Sequence, residues 1–133
     1  MRERPLSPHL SIYRMHRHTL LTSFLNRFTG VILSVGLLVL AYWLLSIAGG
    51  PESYARASAV LSLGISKLVF AGLLVAFVYH LVAGIRHLVW DTGRGLERAV
   101  AKRSAFIVAA VTVVLVLILG YLFIAAFVVG VHA

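Results

Sequence analysis

The chain contains no cysteine. That removes cysteine-ligated iron–sulfur clusters and thioether-attached haem from its own chemistry, and leaves its redox compartment unread. Charge is scarce too. Only 12% of the 133 residues are Asp, Glu, Lys or Arg, where a soluble domain carries roughly 25%. Proline is rare, with three residues, and two of them (Pro5 and Pro8) stand near the start. They favour an extended segment there and interrupt any amphipathic targeting helix.

What is present in excess is apolar surface, at 61% of the chain. It falls into three runs, 28–48, 68–90 and 106–129. Each reaches the roughly 20 residues that a membrane-crossing helix needs. The first and third runs hold no Asp, Glu, Lys, Arg or His, while the second holds His80, Arg86 and His87. The reading is an all-α membrane protein with three transmembrane helices in one compact unit. Residues 1–27 form a cytoplasmic N-terminal segment that leads into the first helix, and residues 28–133 form the membrane unit. The polar, basic stretch before the first run is too long for the n-region of a signal peptide. A bacterial inner membrane is the simplest location.

The net charge of +8 could suggest nucleic acid, but its placement points to membrane orientation instead. Arg2, Arg4, Arg14, Arg17 and Arg27 precede the first run, and Arg94, Arg98, Lys102 and Arg103 separate the second from the third. The connection between the first two runs carries only Arg56 and, at its edge, Lys67. The positive-inside rule then puts the N-terminus in the cytoplasm and the C-terminus in the periplasm. Lipid, not nucleic acid, is the expected contact.

The second run carries the chemistry. On a helix turning 100° per residue, His80, Gly84, His87 and Asp91 fall at about 0°, 40°, −20° and 20°, one narrow stripe. An ionisable residue at membrane depth marks a functional site by default. Gly72, Ala76, His80 and Gly84 also make a four-spaced row in which small residues flank the histidine and leave a groove. One reading is a buried neutral histidine satisfied by a neighbouring hydroxyl. The sharper one is a flat cofactor whose metal His80 holds, and haem fits, because imidazole is a common axial ligand. His87 would stand about 10.5 Å further along the axis, toward the cytoplasmic side, where propionates could meet it and Arg86. Asp91 opposes the dipole at its helix end and calls for a cationic partner (Arg86, Arg94 or Arg27) or a role of its own. Gly93 and Gly95 end that helix.

Elsewhere the signals are weaker. His9, His16 and His18 lack an acidic or cysteine co-ligand and read as a basic interfacial segment, not a metal site. Ser23 and Arg27 lie four apart on one helix face. They are either a helix-start residue and a snorkelling arginine, or a hydroxyl and guanidinium able to bind a carbonyl oxygen. Gly30 and Ser34 continue a row of small residues that lets a neighbour come close. The sequence Ala48-Gly49-Gly50-Pro51-Glu52-Ser53 is a break, followed by a mildly amphipathic outer loop. The third run, in which only Gly120 and Tyr121 stand out, reads as scaffold.

Three motifs in order resemble the cytochrome b subunits of succinate dehydrogenase. They are Arg4-Pro5-Leu6-Ser7-Pro8-His9-Leu10-Ser11-Ile12-Tyr13, Ser23-x-x-Asn26-Arg27-x-Thr29-Gly30 and His80-x-x-x-Gly84-Ile85-Arg86-His87-Leu88-x-Trp90-Asp91-x-Gly93. The last is highly specific. The resemblance implies a membrane anchor of complex II that is not catalytic alone. FAD and iron–sulfur clusters would sit on partners, a flavoprotein subunit and an iron–sulfur subunit. His80 would be one axial ligand of a haem b shared with a second small anchor subunit, with His87, Arg86 and Gly84 near the propionates and pocket. Ser23 and Arg27 would line the site where ubiquinone or menaquinone is reduced. Asp91 would be a proton relay or a structural ion pair. Asn26 departs from the histidine that many members place there and cannot titrate near neutral pH. The alternatives are the anchor of a related quinol:fumarate reductase, a small transporter or channel subunit, or an anchor with a vestigial cofactor site. The transporter would require polar residues along two or more helices, which the first and third runs do not supply.

Overall fold

A computed structural model of the chain describes the backbone of residues 17–132 and the side chains of residues 20–125. It is all-helical there: α1 (Arg17–Ala48), α2 (Pro51–Leu61), α3 (Gly64–Asp91) and α4 (Arg98–His132). Three helices are long and apolar enough to cross a membrane, over Leu20–Ala48, Gly64–Asp91 and Arg98–Ala125. The helices α1, α3 and α4 each contain one of the three apolar runs. The expected extended segment with Pro5 and Pro8, and the side chains of His9, His16 and His18, lie outside the described residues.

The helices outrun the apolar runs, so Lys102 and Arg103 sit in the first turns of α4 and Arg27 lies well inside α1. Hydropathy marks only the part of a helix that suits hydrocarbon. The helix itself continues for as long as it is the cheapest way to pair backbone groups near lipid. A 28-residue helix is about 42 Å long, against a hydrocarbon core of about 30 Å.

The stretch expected as an outer loop is corrected to a helix, α2. Its start is written in the break itself. Gly50 takes φ 87°, a left-handed conformation that favours glycine, and Pro51 occupies the first turn, where its missing N–H costs nothing. Ala57 is fully buried as α2 folds back along α1, and an exposed Glu52–Arg56 pair at 2.7 Å runs along its outer side. A left-handed pair, Gly93 (φ 75°) and Gly95 (φ 74°), turns the chain from α3 to α4 as expected.

α3 is the central element, packed against both α1 and α4. The buried apolar residues are small: Ala57, Ala76, Val78, Ala83, Ala105 and Val108. Large side chains face outward instead, Leu38, Leu45 and Phe123 among them. Without a hydrophobic drive between helices in lipid, small residues allow the backbones to approach and dispersion to act. Along α1 this falls to Gly30 and Gly36, where an added Cβ would lie 3.2 Å from His80 Cε1 and 2.6 Å from Leu73 Cδ2.

Candidate functional site

The α1–α3 contact at Gly30 is where the deep histidine lies. His80 Nδ1 is 3.0 Å from the Asn26 carbonyl oxygen and 3.1 Å from Thr29 Oγ1. A carbonyl only accepts, so Nδ1 must carry the proton and donate it. The threonine hydroxyl donates backward along its own helix, to Leu25 O at 2.8 Å with Asn26 O at 3.0 Å, and so presents a lone pair to the ring. Nε2 is then the unprotonated nitrogen. It has no hydrogen-bond partner among the described residues. A half-buried imidazole held in one tautomer, with a free Nε2 lone pair, is the form that ligates a metal. Among the described residues no three His, Cys, Asp or Glu could hold an ion between them. A metal held by His80 would need its other ligands from elsewhere, as haem iron does.

The two glycines of α1 respond differently to a methyl group. Leu73 is the flexible end of a side chain beside an open apolar groove of about 500 Å³, which it lines with Gly36, Trp43 and Phe70, so it can rotate away. The imidazole is pinned by its hydrogen bonds and cannot. Gly30→Ala is expected to destabilise the protein by about 1–3 kcal/mol, as overpacking does, and Gly36→Ala by less. Thermal unfolding of the two variants in one detergent checks the order.

The remaining stripe residues are distributed unevenly. A Cβ on Gly84 would meet nothing within 4 Å, so the space beside His80 on that side is open. His87 is half-buried, edge-on to the Trp90 ring with centroids 5.3 Å apart. Asp91 ends α3, is exposed and has no ion-pair partner among the described residues. The pairings expected with Arg86, Arg94 or Arg27 are thus not formed there.

Arg86 lies about 120° around the helix from His80 and faces the other way. It is 7% exposed. Nε donates to Ser104 Oγ (2.9 Å), Nη2 to the Ala101 carbonyl (2.9 Å) and Nη1 to Thr22 Oγ1 (3.3 Å). Its guanidinium carbon stands 3.9 Å from the Trp90 ring centroid. One side chain thus joins all three long helices near one membrane face. Tyr79 adds a hydrogen bond to the Thr22 carbonyl (3.3 Å), and Trp90 donates Nε1–H to Gly95 O (3.1 Å). Interhelical hydrogen bonds in membranes average about 0.6 kcal/mol, so Arg86→Ala is expected to cost about 2 kcal/mol. A lowered unfolding midpoint with the helix content unchanged is the readout.

Ser23 is half-buried and Arg27 exposed, on the α1 turns just before the His80 contact. Beside them Phe24 and Phe28 stack at 6.0 Å with rings 9° from parallel, both more than half exposed. Ser23 stands well inside α1, so it is not a helix-start residue. Between the two lies Asn26, whose side-chain Oδ1 is buried with no partner among the described residues while its carbonyl accepts the His80 hydrogen bond.

The family model described as Succinate dehydrogenase/Fumarate reductase transmembrane subunit matches residues 1–119. The chain belongs to this family. Among curated relatives, the succinate dehydrogenase cytochrome b556 subunit of Paracoccus denitrificans is 38% identical over 112 residues, covering 84% of this chain and 85% of that one. The Rickettsia felis b556 subunit is 34% identical over 117 residues, 88% of this chain and 90% of that one. The mitochondrial cytochrome b560 subunit of Sus scrofa is 37% identical over 112 residues, 83% of this chain and 66% of the other. With three helices of membrane-crossing length, this chain is a multi-pass membrane subunit of the succinate dehydrogenase/fumarate reductase family, and the transporter reading is not favoured.

Thr22, Tyr79 and Ser104 carry no signal in the sequence beyond a hydroxyl in or beside an apolar run, and Thr29 enters only as a motif position. What they face depends on helix rotation, which a single chain's periodicity leaves open.

Proposed function

We propose that this protein is the cytochrome b anchor of a bacterial succinate:quinone oxidoreductase, with the haem ligand His80 and quinone contacts Ser23 and Arg27. The observation that carries the reading is the fixed tautomer of His80. An imidazole whose Nδ1–H is given to Asn26 O offers Nε2 to iron without having to lose a proton. Haem b, when bound, takes up and releases one electron at a time. This chain's part is to orient the ligand, leave clearance at Gly84 and present His87 toward the propionate side. Among the described residues one N–H on each of Arg86 Nη1 and Nη2 stays uncommitted, and through these it would reach a propionate.

Ser23 would donate to a quinone carbonyl, and Arg27 would hold the negative charge that develops on the reduced oxygen. The exposed Phe24–Phe28 pair supplies an apolar wall beside them. Asp91, exposed at the end of α3 and without an ion-pair partner among the described residues, suits proton delivery better than a structural ion pair. The partners are a second anchor that brings the other axial ligand, an iron–sulfur subunit and a flavoprotein subunit. Residues 1–27 would contact the cytoplasmic side and residues 28–133 form the anchor. By the positive-inside rule, the basic residues of the α3–α4 connection favour a cytoplasmic N-terminus and a periplasmic C-terminus.

The test is a reduced-minus-oxidised spectrum of the complex purified from membranes through this chain. A b-type band with co-purified succinate dehydrogenase activity is expected. Purified complex with that activity and no b-type band would sink the haem assignment.

A further inference from the structure

Thr29 has a contact that helix packing alone does not require. A threonine inside a helix ordinarily returns its hydroxyl proton to the carbonyl one turn back, and Thr29 does so, to Leu25 O at 2.8 Å. That bond satisfies the side chain locally. Yet the oxygen also lies 3.1 Å from His80 Nδ1, and the residue is 8% exposed. Its proton is already committed, so toward the imidazole it can only accept.

The Nδ1–H therefore faces two acceptors from one turn of α1, Asn26 O at 3.0 Å and Thr29 Oγ1 at 3.1 Å. Gly30, next in the chain, leaves the ring room to reach them, with Cε1 3.2 Å from where a Cβ would stand. One acceptor would fix the tautomer; two, sharing the N–H as a bifurcated pair, also narrow the rotation of the ring. Both draw on the same N–H. They push electron density onto the imidazole and make its other nitrogen a stronger donor.

We propose that Thr29 is a positioning residue for the haem ligand: its oxygen, with the Asn26 carbonyl, sets the ring angle of His80 and strengthens Nε2 as a donor to iron. This rests on the reading of His80 as an axial ligand. A stronger donor favours ferric over ferrous iron, so Thr29 holds the haem midpoint potential down. The geometry also ties the ligand to the quinone-site turn, because the carbonyl that receives the proton belongs to the peptide joining Asn26 to Arg27.

The test compares Thr29→Val and Thr29→Ser in the assembled complex. Valine keeps the shape and removes the oxygen; serine keeps the oxygen and removes the methyl. Haem-to-protein ratio, redox midpoint and the low-spin electron paramagnetic resonance spectrum are measured. Thr29→Val is expected to raise the midpoint, shift the spectrum and weaken haem retention by roughly tenfold, the lower end for loss of a partner to a metal ligand. Thr29→Ser is expected to match the unaltered protein. If Thr29→Val loses haem altogether, retention in Thr29→Ser supports the proposal. Loss in both variants overturns it, as does a Thr29→Val complex with unaltered midpoint and spectrum. His80→Leu separates the two levels: haem retained there removes the ligand reading itself, while haem lost there with Thr29→Val unaltered removes only the role of Thr29.

Discussion

Replacement of His80 by leucine is expected to remove the b-type haem from the complex. Leucine matches the apolar surroundings and helix propensity of the site, so α3 should persist. What it lacks is a nitrogen lone pair, and it also deletes the hydrogen bond to the Asn26 carbonyl. Loss of a single outer partner of a metal ligand already costs about 10–100-fold in affinity, and loss of the ligand itself should cost more. The pyridine haemochrome content of the purified complex, set against its flavin content, is the measurement. A haem-to-flavin ratio unchanged from the unaltered protein would place the ligand elsewhere. The substitution also frees the Thr29 oxygen and Asn26 carbonyl, so a modest fall in thermal stability should accompany the loss of colour.

The second large effect is expected at Arg27. Arg27→Leu removes a permanent positive charge from an exposed position four residues after Ser23. If that charge meets an oxygen that becomes negative as quinone is reduced, its loss should lower quinone reduction by roughly 10²-fold, the scale seen when one oxyanion donor is deleted. Succinate oxidation measured with a soluble dye, which bypasses the membrane site, should be spared, and the haem spectrum should stay in place. A parallel fall in both activities would instead mean that the complex fails to assemble. Ser23→Ala should act in the same direction with a smaller loss, because a neutral donor contributes less than a charged one.

Asn26 shows why the two sites are best considered together. Side-chain chemistry suggests that replacing the family's histidine there with asparagine abolishes a role. The contact that the structure places at this position is made by the backbone carbonyl, which every residue possesses. The interaction with His80 therefore survives the substitution, while the side-chain Oδ1 sits buried without a partner among the described residues. A titrating function at this position would be lost, but the anchoring of the ligand would not.

Much of the architecture was legible in one dimension. Three apolar runs of membrane length stand out because lipid forbids charge and unpaired backbone over about 30 Å. The glycines at 93 and 95 ended α3 because both take positive φ there. The outer helix α2 is hidden in the sequence because its Gly-Gly-Pro opening reads first as a break and the amphipathic stretch that follows is only 11 residues long. The helix ends were missed because basic residues near an interface do not interrupt a helix.

By itself the sequence determined the class of protein, the number of spans and the stripe carrying His80, since these follow from composition and from the 3.6-residue period. Only the tertiary structure decided which atoms face that stripe. The rotation of α1 against α3 brings Asn26 O and Thr29 Oγ1 to Nδ1 and sets Gly30 under the ring. The packing of α4 turns Arg86 away from the histidine into a three-helix joint. Periodicity gives each helix a face but not its partner, because in lipid small residues allow many close approaches and the choice among them is made by a few hydrogen bonds between helices far apart in the chain.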